Sequence, residues 1–247
     1  MYFDRNNATL LASADELTKL AEFSASGSDV PPSDWQEMHV ASGQKLDPTV
    51  TGIIEIMNRP LRSIALERFD GESVDVMFVA WDRAGRATMA NGIGQDSLSI
   101  TATQFDLLPA LLTQAVRLNP TMVTAARPPM VTTAGVVQQA IAGGDLPGAD
   151  GSAASNQDLV AVLGSIRHAW RASGSWQGKT TDTSMTVLSA GDEGLWVVTH
   201  EASAPGSQAS ADTVVELRPC SPADISRLLG DVVTGRNSVP EQSSTAA

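Results

Sequence analysis

The chain has 247 residues, 42% of them apolar, which is enough to bury a sizeable core in one domain or in two small ones. Its formal net charge of −12 repels phosphate, so nucleic acid and anionic membrane surfaces are poor partners. The single cysteine, Cys220, excludes an intramolecular disulfide and every metal motif that needs several cysteines.

Neither export nor membrane insertion is indicated by the apolar segments. The amino terminus has Asp4 early and only a short apolar run after it, which is not the core of a signal peptide. The longest dense apolar run, residues 76–81, is far too short to cross a bilayer. We therefore expect a soluble, cytoplasmic protein.

The first half opens with two helices. An extended piece at residues 8–11 leads to Ser13 and Glu16, whose spacing predicts a capping box and a helix start. Residues 24–35 are polar and contain prolines, as is typical of a loop. Asp47 followed by proline predicts the start of a second helix, which must end before Pro60.

Turn signals then separate runs of β type, which predicts four consecutive antiparallel strands. The turns are marked by Asp70-Gly71, by Gly85 and by the cluster at residues 91–96. A helix follows, and its cap is either Thr103 or Asp106, with Pro109 favouring Asp106. The predicted strands cover residues 61–68, 73–81, 86–91 and 97–102.

The second half repeats this order. A short helix is expected within residues 131–144, ended by Gly143-Gly144, and a second helix begins at Ser155. Four strand-like runs follow between residues 166 and 219. Ser221 with Pro222 at the first helical position then predicts a closing helix. Its apolar stripe consists of Ile225, Leu228, Leu229 and Val232.

One hairpin pattern occurs twice in the sequence. This repetition indicates a duplication in which equivalent elements are about 108 to 118 residues apart. We expect two similar halves, residues 1–125 and 126–235, followed by a polar tail at 236–247 that is disordered. Their sheets would be related by an approximate twofold axis and joined edge to edge into one larger sheet, so that neither copy leaves an unpaired edge. The matching positions are Met77, Gly85 and Met89 in the first copy and Met185, Gly194 and Val198 in the second.

A search for catalytic chemistry finds little. The three histidines, His39, His168 and His200, are not at metal-ligand spacing. The stretch at residues 92–97 has G-x-G without a third glycine, and Ser175 lacks the context of a nucleophile elbow. We expect no enzyme activity, no catalytic residue, no cofactor and no metal.

Several ordered stretches together resemble the EspG family, the cytosolic chaperones of mycobacterial and actinobacterial type VII (ESX) secretion. They include the opening strand and helix ATLLASADELTKLAEF, the passage IIEIMNRPLRSIALERF and the hairpin DVMFVAWDRAGRATMA. The step SLSITATQFDLLPALLTQAV and the run from Trp176 through GLWVVTHEA to VELRPCSPADISRLL complete the set. The resemblance covers about residues 8–234.

The resemblance implies an α+β fold with a central antiparallel β-sheet, helical bundles at its sides and a quasi-twofold relation between the halves. It implies a chaperone that covers the apolar tip of a helical-hairpin export substrate, typically the PPE member of a PE–PPE pair. The turn at Asp70-Gly71 is shorter than the corresponding loop of the family. The positions that correspond to the family's contacts are Phe69, Asp70, Gly71 and Glu72, and, within residues 131–141 and 159–163, Val136, Val137, Ile141, Leu159, Val160 and Leu163.

Other interpretations stay open. Apolar stripes on helices usually pack inward, so the helical positions just named are also typical of ordinary core. The duplicated sheet could form a scaffolding homodimer with no export substrate. A hydrolase with scattered residues would need a pocket that combines His168 or His200 with a carboxylate and a hydroxyl group.

Overall fold

The structure is a computed structural model, and its described residues fall into two compact units. The first unit contains residues 1–67, 75–110 and 175–180, and the second contains 68–74, 111–174 and 181–247. The predicted boundary at residues 125/126 stays a prediction. The structure describes residues 1–26, 30–70, 73–93, 96–118, 122, 124, 127–146, 157–176, 179–200 and 210–235, without the side chains of 176, 179–183 and 200.

Strands and helices alternate in blocks, as an α+β protein requires. The helices among the described residues are α1 (Ala14–Ser26), α2 (Asp34–Glu37), α3 (Pro48–Asn58), α4 (Leu108–Ala115), α5 (Ala134–Ile141), α6 (Gln157–Gly164) and α7 (Pro222–Thr234). The strands are β1 (Tyr2–Asp4), β2 (Thr9–Ser13), β3 (Ala41–Ser42), β4 (Lys45–Leu46), β5 (Arg62–Asp70), β6 (Ser73–Trp81), β7 (Arg86–Ile93), β8 (Ser97–Gln104), β9 (Met130–Thr133), β10 (His168–Trp176), β11 (Lys179–Ser189), β12 (Leu195–His200) and β13 (Val214–Cys220).

The sheet of the first unit has the strand order β1-β2-β8-β7-β6-β5. Its registers are antiparallel wherever they are described, with Leu10 opposite Ile100 and Ala90 opposite Phe78. These residues line one face of the sheet, because cross-strand partners share a face. Helices α1 and α3 pack there and form a core with them, in which Leu20 and Ile53 are buried.

The sheet of the second unit has the order β10-β11-β12-β13-β9. Its described pairs are antiparallel as well, with Val198 opposite Leu217 and Leu217 opposite Met130. Helices α5 and α6 contribute Val137, Leu159, Val162 and Leu163 to a core around Trp196, whose side chain is fully buried. The α+β class with antiparallel sheets is thus confirmed.

Each unit follows the same topology, which supports the predicted duplication. In the first half of the chain a strand (β2) precedes two helices (α1, α3, with α2, β3 and β4 between them), a four-strand meander (β5 to β8) and a helix (α4). In the second half the equivalents are β9, α5, α6, β10 to β13 and α7. The leading strand pairs with the last strand of the meander in both units, as β2 with β8 and as β9 with β13. The quasi-twofold axis between the halves stays a prediction.

The helix caps largely agree with their sequence signals. The Ser13 backbone N–H donates to the Glu16 carboxylate and the Glu16 N–H donates to the Ser13 hydroxyl, which is the predicted capping box. Asp47 accepts from the Thr49 N–H at the start of α3. Ser221 caps α7, and Asp224 completes a second capping box there.

Three sequence predictions are corrected, and one strand was missed. Residues 130–133 form strand β9 and not helix, because the β-branched run Val131-Thr132-Thr133 pairs with β13. The helix after β8 is capped neither by Thr103 nor by Asp106: a 3₁₀ turn at Phe105–Leu107 comes first, and Pro109 lies in the first turn of α4. The predicted loop at 24–35 contains the end of α1 and the start of α2. Strand β1 was not predicted.

Candidate partner-binding surface

The sequence-predicted contact residues that the structure describes lie within the second unit, on the end of one strand and on two helices. Phe69 and Asp70 end strand β5, Val136, Val137 and Ile141 are on α5, and Leu159, Val160 and Leu163 are on α6. Helices α5 and α6 pack against each other. Gly71 and Glu72 lie outside the described residues.

Half of the helical positions are core. Val137, Leu159 and Leu163 are 4%, 7% and 3% exposed, so they hold α5 and α6 on the sheet as the core interpretation expects. Val136 and Ile141 are half-buried at the border of that core, and Val160 is half-buried on α6. The residues that could contact a partner without unfolding are therefore the half-buried ones.

A shallow depression brings the end of β5 and the end of α5 together. Phe69 lies there with Ala140 and Ile141, and Ile166 and Ala169 supply further apolar surface from the start of β10. We call this site the Phe69 depression; its lining is completed by Gly143, Arg167 and His168. The structure thus places together two contact regions that are about 70 residues apart in the chain.

Helix α5 ends beside the depression because of its glycines. Gly143 has a φ of +70°, a left-handed conformation that glycine adopts without a steric penalty. The Ala142 N–H donates to the Gln138 carbonyl oxygen, which completes the last turn. Ala140 and Ile141, at the end of the helix, are half-buried and line the depression.

The rim of the depression carries both signs of charge. His168 Nδ1 lies 3.2 Å from an Asp70 carboxylate oxygen, and both side chains are about two-fifths exposed. Among the residues that the structure describes, no carboxylate pairs with the exposed side chain of Arg167, whose backbone N–H donates to the Ser189 carbonyl oxygen. Within the described part of the chain, the apolar floor is therefore bordered by the His168–Asp70 pair and by a guanidinium without a carboxylate partner.

An ion-pair network fixes α6 to the turn between β11 and β12. Arg127 Nε lies 2.7 Å from Glu193, and its guanidinium also pairs with Asp158 in the first turn of α6. Both carboxylates raise the pKa of Arg127, with the Glu193 hydrogen bond as the largest cause. This network, which the sequence did not indicate, restrains the helix that carries Leu159 and Val160.

The geometry does not resemble a small-molecule site. The Phe69 depression has a volume of about 80 Å³, whereas ligand pockets usually measure about 300–1,000 Å³. His168 and Asp70 meet there, but the described lining includes no hydroxyl or thiol side chain. An 80 Å³ depression can accept one apolar side chain of another polypeptide.

A larger depression of about 430 Å³ lies in the first unit, and it also lacks the groups of a hydrolase. Its lining combines Arg59 and Arg83 with Asp82, whose carboxylate hydrogen-bonds Arg86. Burial raises the pKa of Asp82, but the hydrogen bonds from Arg86 and Ala84 outweigh burial and lower it. The carboxylate is thus held ionised as a structural ion-pair partner.

Metal and membrane features were also sought. Within the described ranges, no three His, Cys, Asp or Glu side chains are grouped as a metal site would require. None of the described helices has both the length and the apolar character to cross a bilayer.

The sequence missed five members of the depression as contact residues: Gly143, Ile166, Arg167, His168 and Ala169. Ile166, Arg167 and His168 precede or open strand β10, and the alternation of β10 gave no reason to connect them with Phe69. The run IRHAW could have indicated these residues as a contact site, because it places an apolar residue and two basic residues at the start of a strand in an acidic chain.

Comparison with known proteins identifies the fold. No family model matches the chain, and no curated protein matches it significantly in sequence. A solved structure, the Mycobacterium tuberculosis type VII secretion system chaperone EspG5 in complex with the PE25–PPE41 dimer, is similar over 94% of this chain and 98% of EspG5, with a TM-score of 0.60 and 10% identity. The chain therefore has an EspG-like α+β fold.

Proposed function

We propose that the chain is a non-enzymatic, cytoplasmic chaperone of type VII secretion that keeps a helical-hairpin export substrate soluble. The observation that carries the proposal is the Phe69 depression, an apolar site for a polypeptide side chain on an EspG-like fold. EspG5 itself was solved in complex with a PE25–PPE41 dimer, which supports a PE–PPE-like partner here.

Binding would be centred on apolar contact. A partner side chain that fills the depression would cover Phe69, Ile141 and Ile166, and burying a Leu- or Phe-sized side chain stabilises a complex by about 1.5–3 kcal/mol. Val136 and Val160 would extend the contact along α5 and α6. The three core residues Val137, Leu159 and Leu163 would support this surface from beneath.

Charge would select the partner at the rim. The chain carries a net charge of −12, which disfavours self-association and acidic partners over most of the surface. Arg167 is a local exception, because its side chain has no carboxylate partner among the described residues. A partner with a carboxylate next to its apolar tip would complement this position.

Co-expression tests the proposal. The chain would be co-expressed with the helical-hairpin proteins encoded beside its gene, and the product would be sized by chromatography with light scattering. We expect a stoichiometric complex with at least one of them. Ile141→Asp should weaken that complex more than tenfold, because a buried charge opposes the apolar contact.

A matched control separates binding from folding. Ile93→Asp introduces the same charge at an apolar residue that is 50% exposed in the first unit, and it should leave the complex intact. The unfolding temperature of both variants is measured as well, and loss of the complex supports the proposal only where Ile141→Asp is still folded at the temperature of the binding assay. Equal binding by both variants, or no complex with any of the co-expressed proteins, contradicts the proposal.

A further inference from the structure

Strand β9 is the last strand of its sheet, and part of its backbone points outward. The Ala134 N–H donates to the Thr213 carbonyl oxygen at 2.9 Å, which makes this a hydrogen-bonded pair. Since such pairs alternate along an antiparallel ladder, Met130 and Thr132 bond to β13, and the backbone groups of Val131 point away from it. Among the described residues nothing bonds to these outward groups.

The equivalent strand of the first unit is covered. Leu11 and Val131 each lie two residues before the end of their strand, so an offset of 120 residues (131 − 11) relates β2 to β9. Strand β1 pairs with β2 along its outer edge, with Tyr2 opposite Leu11 and Phe3 opposite Leu10. Phe3 is only 2% exposed and completes the burial of Leu10.

Ahead of β9, the described residue Thr124 is placed elsewhere. At the same offset, the counterpart of Asp4 in β1 is Thr124 (4 + 120). Thr124 forms a parallel bridge with Leu195 of β12 and so lies on another part of the sheet. Among the described residues, no strand of the second unit therefore takes the position that β1 holds in the first.

The side chains at this edge show what is left uncovered. Val131 is 66% exposed and Val214, on the neighbouring strand, is 61% exposed on the same face. On the opposite face Met130 is half-buried, whereas its counterpart Leu10 is fully buried. Glu216, the partner of Val131, is paired with Arg218 at 2.6 Å, so the edge carries no unpaired charge at this point.

We infer that the edge of β9 is a second binding site, one that takes an extended segment of another polypeptide as an added antiparallel strand. The segment repeats what β1 does for β2: its backbone bonds to Val131, and a large apolar side chain lies opposite Met130 and covers it. This site is distinct from the Phe69 depression and binds a strand, not a helical tip.

A second copy of the chain fits this edge less well. In a symmetric antiparallel pairing through Val131 and Thr133, the residue opposite Met130 would be Ala134 of the other copy, the first residue of α5. Alanine is too small to cover Met130, and the helix that begins there cannot continue the ladder. The net charge of −12 on each copy opposes the pairing further.

Hydrogen exchange on the full chain tests the inference, with a synthetic peptide of residues 1–7 as the probe. In the free chain the Val131 amide should exchange fast and the Thr132 amide slowly, because only Thr132 bonds to β13. Adding the peptide should slow Val131 exchange at least about tenfold. A peptide with Phe3→Ser should bind about tenfold more weakly, since it no longer covers Met130.

Two chain variants make a matched pair. Val131→Pro removes only the outward N–H and should abolish peptide binding, whereas Val131→Thr keeps that N–H and should bind as the wild type does. Unchanged binding by Val131→Pro overturns the inference. Slow exchange of the Val131 amide in the free chain also overturns the inference. Protection that does not depend on chain concentration would show that the chain covers its own edge, and protection that rises with concentration would show that a second copy covers it.

Discussion

In the first unit the leading strand β2 is covered by β1, whereas in the second unit the equivalent strand β9 ends the sheet. The two units share one strand order, so this difference does not come from topology. It comes from the residues ahead of the leading strand: Tyr2–Asp4 form β1 in one unit, whereas Thr124 bridges Leu195 of β12 in the other. A repeated scaffold can thus have a closed edge in one copy and an open edge in the other.

The depressions of the two units differ in the residues that they bring together. The end of β5 joins α5 and β10 in the Phe69 depression, where two of the predicted contact regions meet. The depression of the first unit, bordered by Arg59, Asp82 and Arg83, contains none of the predicted contact residues. The proposed contacts with other polypeptides are therefore all placed in the second unit.

Truncating equivalent residues at the two edges should have the largest effect. Leu10→Ala should lower the free energy of unfolding by about 2–5 kcal/mol, because Leu10 is fully buried under Phe3. Met130→Ala should cost about 1 kcal/mol or less, because Met130 is only half-buried. Urea unfolding of both variants measures this. Equal costs would show that the edge of β9 is as well covered as that of β2.

Removing the helix caps should have a moderate effect that is similar in both units. Ser13→Ala and Ser221→Ala each remove a hydroxyl that accepts from a backbone N–H, and each should cost about 1 kcal/mol. Ser→Thr at the same positions keeps the acceptor and serves as the control. A loss of stability in only one of the two alanine variants would contradict the equivalence of the capping boxes.

Acid should weaken both capping boxes. The hydrogen bond from the N-terminal ammonium, followed by that from the Ser13 N–H, lowers the pKa of Glu16, and the Ser221 hydroxyl and N–H lower the pKa of Asp224. A lowered folded-state pKa gives stability that is present above the unfolded pKa and is lost as the pH falls through the folded value. Below about pH 4, Glu16→Gln and Asp224→Asn should therefore approach the stability of the wild type.

Acid titration of unfolding by circular dichroism measures this convergence. At pH 7 both variants should be less stable than the wild type. A gap between wild type and variant that stays constant from pH 7 to pH 2 would show that the ionised carboxylates do not stabilise the caps.

The smallest effect is expected at the cysteine of the second unit. Burial, with a further contribution from the Asp224 charge, raises the pKa of the Cys220 thiol to about 12. The folded chain should not react with a thiol reagent at pH 8, and it should react fully in denaturant. Rapid reaction of the folded chain would show that β13 opens at its end.

Local signals predicted much of this fold. The pairs Ser13 with Glu16 and Asp47 with Pro48 start helices as expected, because a cap depends on residues only three positions apart. The positive φ angles of Gly85 and Gly194 also agree with the two predicted hairpin turns. The four-strand meanders follow from these local patterns.

Other features depend on long-range contacts and could not be read in the same way. Strand β9 is short and follows two prolines, so only its pairing with β13 defines it as a strand. The Phe69 depression joins β5, α5 and β10, and no spacing in the sequence indicates that these ends meet. The same limit explains why Ile166 and Arg167 were missed.

The proposed binding of an apolar helical hairpin at the Phe69 depression is tested most directly by the exchange footprint of a purified complex. Hydrogen exchange of the chain would be compared with and without its co-expressed helical-hairpin partner. The account predicts protection of residues 134–141 and of the end of β5 at Phe69, and no change in α1 or α3. Protection confined to the first unit, or a footprint that leaves α5 unchanged, would contradict it.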